Sequence, residues 1–197
     1  MKIIASNYNG DCSWIPKETD DYFIYDRTGC GLPNSIRVPN IGNADYDRLT
    51  YIIDNYDNLP DVFILTKSNL FKYITREEFD LVKNNKTFTP LLTQHHKTYE
   101  PVCRYVDGMY EEINNSWYVA QFESRYATYN EWAEELGLPT PEYLRFAPGG
   151  NYIVTKEVIH FHPKELYVKM RDMLGYTQLP AEAQFVERTY FTLWSKS

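Results

Sequence analysis

Near the carboxyl end of the chain, Ala183, Glu187, Tyr190 and Trp194 recur at i, i+4, i+7 and i+11, setting one carboxylate on an otherwise apolar and aromatic helical stripe. Partial burial there raises a carboxyl pKa, and such a group can take the proton from an attacking hydroxyl. Glu187 is therefore the first candidate for a general base and Glu182 the second; a structural ion pair with an arginine, or a solvated face, fits the same spacing. His160-Phe-His162 puts two imidazoles on one side of an extended segment. They suit a zinc or iron site completed by a third ligand, or a plain lead into the helix that Pro163 opens. Asp45-Tyr-Asp47 is a literal Asp-x-Asp, but residues two apart on a helix point in different directions and clamp a metal poorly. The chain has no Gly-x-Gly-x-x-Gly, Walker loop, Gly-x-Ser-x-Gly or His-Glu-x-x-His, so dehydrogenase, NTPase, serine hydrolase and zincin readings have no support.

The elements that must position these groups are legible in part. Lys2–Ala5 and Tyr22–Tyr25 read as short strands, the second ending at Asp26 before a Gly- and Pro-rich loop. Leu49, Ile52, Ile53 and Tyr56 then follow a helical period, with Asn43 as the expected N-cap, Asp45 in the first turn and Pro60 as the stop. Val62–Leu65 is a continuous apolar run of the kind buried on both faces of a parallel sheet. Capping boxes at Thr75 and Thr128 announce two short helices. Val102–Val106, Trp117–Phe122 and Asn151–Val154 read as strands, and helices are expected from Pro163 to Gly175 and from Pro180 to Trp194. The expectation is one α/β domain spanning 1–197, a three-layer sandwich with a mixed, mainly parallel sheet between helices. In such sheets ligands lie beyond the carboxyl ends of the strands. Those ends are Ser6-Asn7-Tyr8, Asp26 and Thr66-Lys67-Ser68-Asn69: Tyr8 could stack on a base, Asp26 accept from a base or ribose, and Lys67 face a phosphate.

Bulk properties exclude several classes. A formal charge of −7 argues against non-specific nucleic-acid binding. Three widely spaced cysteines make a disulfide framework or structural zinc site improbable. No segment reaches the ~20 apolar residues of a membrane span and none reads as a signal peptide, so a cytoplasmic location is the expectation. The 18 tyrosines suit sugar and base stacking, and suit equally an AT-rich coding sequence.

Asn40-x-Gly42-x-x-Asp45, followed by Tyr51-Ile-Ile-Asp-Asn-Tyr-Asp-Asn-Leu-Pro-Asp61, resembles the matching part of a glycosyltransferase-like domain family of unknown specificity. Ala5-Ser-Asn-Tyr8 with Ser13-Trp14, Gly150-Asn-Tyr-Ile-Val154, and Glu182 through Glu187-Arg188 to Trp194 are similar as well. The resemblance implies a GT-A-like fold, donor binding in about residues 1–100 and acceptor binding in about 101–197. It implies transfer of a sugar from a nucleoside diphosphate donor, UDP-sugar favoured, to a glycan hydroxyl. Ser6, Asn7, Tyr8, Asp26, Asn40, Gly42, Asp45, Lys67, Asn69 and His162 would lie on the donor side, and Gly150 and Asn151 near the acceptor. One departure stands out: where GT-A enzymes commonly end the strand at Val62–Leu65 with Asp-x-Asp for Mn²⁺ or Mg²⁺, this chain has Lys67-Ser68-Asn69. A lysine can supply positive charge instead, which favours a metal-independent enzyme without a certain cofactor. Two rivals remain, a metal-dependent hydrolase built on His160 and His162 and a non-catalytic carbohydrate-binding domain.

Overall fold

The computed structural model describes residues 1–93, 103–114 and 122–195, so nearly all of the strand expected at Trp117–Phe122 lies outside the described residues. In chain order come β1 (Lys2–Asn7), α1 (Ile15–Glu18), β2 (Tyr22–Asp26), β3 (Ser35–Arg37), α2 (Asn43–Asn55), β4 (Val62–Lys67), α3 (Arg76–Val82) and β5 (Thr89–Pro90). Next come β6 (Arg104–Val106), β7 (Met109–Ile113), α4 (Tyr129–Glu135), β8 (Tyr143–Phe146), β9 (Tyr152–Thr155), α5 (Lys156–Ile159), α6 (Lys164–Asp172) and α7 (Ala181–Trp194).

The main sheet runs β3-β2-β1-β4-β9-β5. β1 to β4 are mutually parallel, and β9 returns antiparallel between β4 and β5. Alternating side chains feed two cores, as the two-residue repeat of a strand requires. Ile4, Tyr25, Phe63, Leu65, Tyr152 and Val154 pack with residues of α2, α6 and α7. Ile3, Ala5, Ile24, Ile64 and Ile153 pack with Ile15 of α1, Phe79 of α3, and Leu70, Ile74 and Leu91. This is the expected three-layer α/β sandwich with a mixed, mostly parallel centre, a Rossmann-like arrangement. β4 reads as an unbroken apolar run because both its faces are covered; truncating Phe63 to Ala would cost about 3–5 kcal/mol. A second sheet, β6-β7-β8, is antiparallel and packs through β8 on α7.

Helix boundaries follow local chemistry. Thr75 forms a reciprocal capping box with Glu78, and the Thr128 hydroxyl accepts from Glu131 N–H. Pro163 and Pro180 directly precede α6 and α7. One correction concerns α2: Asn43 is its first residue, not its cap, and the preceding Gly42 is left-handed at φ +63°. A Cβ on Gly42 would fall 2.7 Å from that of Tyr46, so both the turn and the packing require glycine. Among the described residues, no helix is long and apolar enough to cross a membrane.

Candidate functional site

The chain lays down β1, β2 and β3 in one direction and then places β4 on the other side of β1. The order therefore reverses at the β1/β4 junction, where open α/β sheets leave a crevice. A cavity of about 380 Å³ lies there. Ser6 and Tyr8 line it from the end of β1, and Lys67, Ser68 and Asn69 from the end of β4. Arg27 follows β2, Asn40, Asn43 and Ala44 flank the start of α2, and Tyr73 stands beyond β4. The connection between α6 and α7 closes the wall with Gln178 and Leu179. That connection is tied to α2 by backbone bonds from Gly42 N–H to Thr177 O and from Asn43 N–H to Gln178 O.

Arg27 clamps strand ends to helix. Its guanidinium forms an ion pair with Asp47 and donates to Ser6 Oγ and to the carbonyls of Ile41 and Asn43. Burial pushes the Asp47 carboxyl up to about 6, with Arg27 and Ser6 opposing the rise. Beside this clamp, Asn7 Nδ2 donates to Asp26 Oδ1, and the N–H groups of Thr28 and Cys30 donate to the Asp26 carboxylate. Burial acts to raise the Asp26 pKa, but these donors prevail and hold it at about 2.

Lys67 differs from every other charged group here. Asn151 Oδ1 accepts its backbone N–H, which fixes the strand end, yet its ammonium makes no hydrogen bond or ion pair among the described residues. The Tyr73 ring lies 6.0 Å away. Burial lowers the Lys67 pKa, and the main opposing influence is the Glu187 carboxylate. Glu187 is 4% exposed, its Oε1 accepts from Arg188 Nη1 at 2.6 Å, and burial pushes its carboxyl up to about 7. Arg48 completes the layer beneath the cavity, donating to Asp45 Oδ1 at 2.7 Å and to Gly149 O at 2.7 Å. Asp45 also accepts from Tyr190 OH.

Ser6, Tyr8, Asn40, Lys67 and Asn69 thus come together from distant sequence, while other expected positions lie elsewhere. Asp26 is not open to a ligand, because its two oxygens organise the loop after β2. Asn7 is 1% exposed and bonds to Asp26, Gly10 N–H and Ser68 Oγ. Asp45 faces Arg48 and Tyr190 while Asp47 faces Arg27, so the two carboxylates diverge as their spacing requires. Glu182, fully buried, accepts from Ser124 Oγ, Arg125 N–H and Tyr176 OH, which makes it a structural anchor and not a base facing the cavity. Gly150 and Asn151 are buried, the first against Arg48 and the second against the end of β4, so neither presents a surface to an acceptor. Glu187 stands behind the lining, next to Lys67.

His160 and His162 do not form a metal pair. His160 Nε2 bonds Tyr56 O and His162 Nε2 bonds Leu193 O, at the end of α2 remote from the cavity. Among the described residues, no group of three or more His, Cys, Asp or Glu could hold a metal ion. Sequence reading missed Arg27, Tyr73, Gln178 and Leu179. Arg27, adjoining a strand end, carried a local signal; the other three reach the cavity only through tertiary packing.

A model of the family described as "Protein of unknown function (DUF3431)" matches residues 3–197, and the chain belongs to that family. No curated protein matches the chain, and no solved structure does.

Proposed function

We propose that this chain is a nucleotide-sugar-dependent glycosyltransferase whose donor phosphate is held by Lys67. The observation that carries the reading is the unpaired Lys67 ammonium in a cavity at the β1/β4 switch point. A partly buried cation with no hydrogen-bonded counter-ion is costly, and a ligand anion would offset that cost. Tyr8, 61% exposed at the cavity rim, offers a face for a base or sugar, and the Asn69 Oδ1, buried without a partner among the described residues, offers an acceptor for a ligand O–H or N–H. The lysine occupies the strand end at which GT-A enzymes commonly place their metal-binding acids, so it stands in as a point charge. Glu187 is the proposed recipient of the acceptor's proton: a carboxyl near 7 suits general-base work at neutral pH.

A binding-only domain is the second reading, favoured by one observation: Glu187 does not itself line the cavity. Release of free nucleotide from a panel of nucleotide-sugars, with glycan acceptors present, separates the two. A glycosyltransferase releases nucleotide from one donor, and Glu187→Gln retains donor binding while losing turnover. Donor binding without release by the wild type would establish the binding-only reading.

A further inference from the structure

We propose that Cys12 and Cys30 are a redox modification site: they join in a reversible disulfide that fastens together the two loops leaving the ends of β1 and β2. The site stands apart from the nucleotide-sugar reading of the cavity.

The two cysteines are distant in sequence, and the sheet brings them together. β1 and β2 are parallel neighbours with Asn7 opposite Asp26, so the loops that follow leave the same edge side by side. Cys12 comes five residues after Asn7, and Cys30 four after Asp26. Hydrogen bonds already stitch these loops to each other. Asn9 N–H and Asn7 Nδ2 both donate to Thr28 Oγ1, at 3.1 and 3.2 Å. Asn7 Nδ2 also donates to Asp26 Oδ1, and Cys30 N–H donates to Asp26 Oδ2 at 2.6 Å. Cys12 is 4% exposed in the core that holds Ile3, Ala5 and Ile24, and the partly buried Cys30 packs against that same core. Of the ionisable groups around the Cys12 thiol, Cys30 acts on it most strongly, by hydrogen bonding and by charge, ahead of Asp26 and Asp11. Both thiols are free. Cys103 belongs to a separate cluster with Tyr110 and Phe146, where its Sγ donates to Glu112 Oε2 at 3.4 Å.

The surroundings give the two thiols different parts. A thiolate, not a thiol, attacks a disulfide. Burial pushes the Cys12 thiol up to about 12, so the more exposed Cys30 meets the oxidant first. With a low-molecular-weight disulfide as oxidant, the Cys30 thiolate attacks one of its sulfurs. A mixed disulfide forms and one small thiolate leaves. Cys12 then gives up its proton and attacks the Cys30 sulfur, which closes the protein disulfide and expels the second small thiol. Two protein thiols lose two electrons, one small disulfide is reduced to two thiols, and both protons end on those thiols. The new bond holds the loop that carries Tyr8 against the loop that begins at Arg27, and both of these residues line the cavity.

The test is incubation of the folded full chain with oxidised glutathione at about pH 8, then intact-mass measurement and peptide mapping after alkylation of the remaining thiols. The expected product is two hydrogens lighter, with Cys12 and Cys30 in one cross-linked peptide pair, Cys103 alkylated, and the change reversed by dithiothreitol. Closing the loop restricts the unfolded chain, so the oxidised protein is expected to melt several degrees above the reduced one. Cys12→Ala is expected to stop at a glutathione adduct on Cys30, whereas Cys103→Ala should cross-link like the wild type. A wild-type protein that stops at the Cys30 adduct, a disulfide that includes Cys103, a covalent dimer through Cys30, or no reaction at all would each overturn the inference. A Cys12–Cys30 bond that lowers the melting temperature would overturn it too, because the native loops would then not hold the thiols in bonding position.

Discussion

Glu187 is the group that most opposes the effect of burial on Lys67, although no hydrogen bond joins the two. Each is disfavoured as an ion by its surroundings and each eases the other's burden, since Lys67 in turn acts to lower the Glu187 pKa. Protonation of one end therefore alters the electrostatic field at the other, across from β4 to the helix behind it.

The first consequence is a pH dependence of stability. Burial pushes the Glu187 carboxyl up to about 7 from its ordinary 4.5, so between those values the native state binds more protons than the unfolded chain. Stability then falls as pH rises through that window, and the cost is fully present above it. Glu187→Gln removes the ionisable group and keeps an acceptor for Arg188. Urea denaturation of both proteins from pH 4.5 to 7.5 should show the variant gaining on the wild type as pH rises, by roughly 2–3 kcal/mol at most. A difference independent of pH would refute the buried, proton-binding carboxyl.

Lys67→Met should stabilise the free protein while abolishing ligand binding. Burial lowers the lysine's pKa, so its charged form carries a cost in the empty site that an apolar side chain does not. A gain of about 1 kcal/mol in chemical denaturation is expected, in keeping with the trade between stability and function at binding sites. A loss of similar size would mean that Lys67 is a structural residue.

Arg27→Met should do the reverse. The side chain joins the ends of β1 and β2 to the start of α2 through Asp47, Ser6, Ile41 O and Asn43 O, with both charged groups buried. Leaving Asp47 unpaired is expected to cost about 3–5 kcal/mol. A loss below ~1 kcal/mol would show that the clamp is not holding those elements together.

Gly150→Ala tests the packing beneath the cavity. Gly150 has φ +63°, and a Cβ there would sit 2.6 Å from Arg48 Nη1. Left-handed backbone alone costs about 1–2 kcal/mol for a side chain, and displacing Arg48 from Asp45 adds to it. Gly137, also left-handed but with open space for 4 Å around where a Cβ would sit, provides the control. Gly150→Ala should be clearly more destabilising than Gly137→Ala in thermal unfolding; equal losses would refute the steric argument.

What the sequence disclosed follows from the range of the forces involved. The helical period from Leu49 to Tyr56, the apolar run at Val62–Leu65 and the capping boxes at Thr75 and Thr128 are local signals, and α2, β4, α3 and α4 stand where they pointed. β3 was hidden because three residues at a sheet edge carry no alternation. The direction of β9 was hidden because an apolar strand reads alike either way along its neighbour. Strand ends marked the cavity through Ser6, Tyr8, Lys67 and Asn69, whereas Tyr73 and Leu179 arrive by long-range packing that no short motif encodes. Asp26 and Glu182 looked like ligand groups because carboxylates at strand and helix ends serve binding and local hydrogen bonding alike. Here the nearby amide donors engaged both.

The most direct measurement is thermal unfolding of the full chain with a panel of nucleotide-sugars spanning the common bases, wild type beside Lys67→Gln. At ~100-fold excess over Kd, a ligand that binds only the folded state contributes about 2.7 kcal/mol. One donor is expected to raise the wild-type Tm by several degrees and to leave the Lys67→Gln protein unmoved. No shift with any donor, or an equal shift in both proteins, would contradict a nucleotide-sugar site built on Lys67.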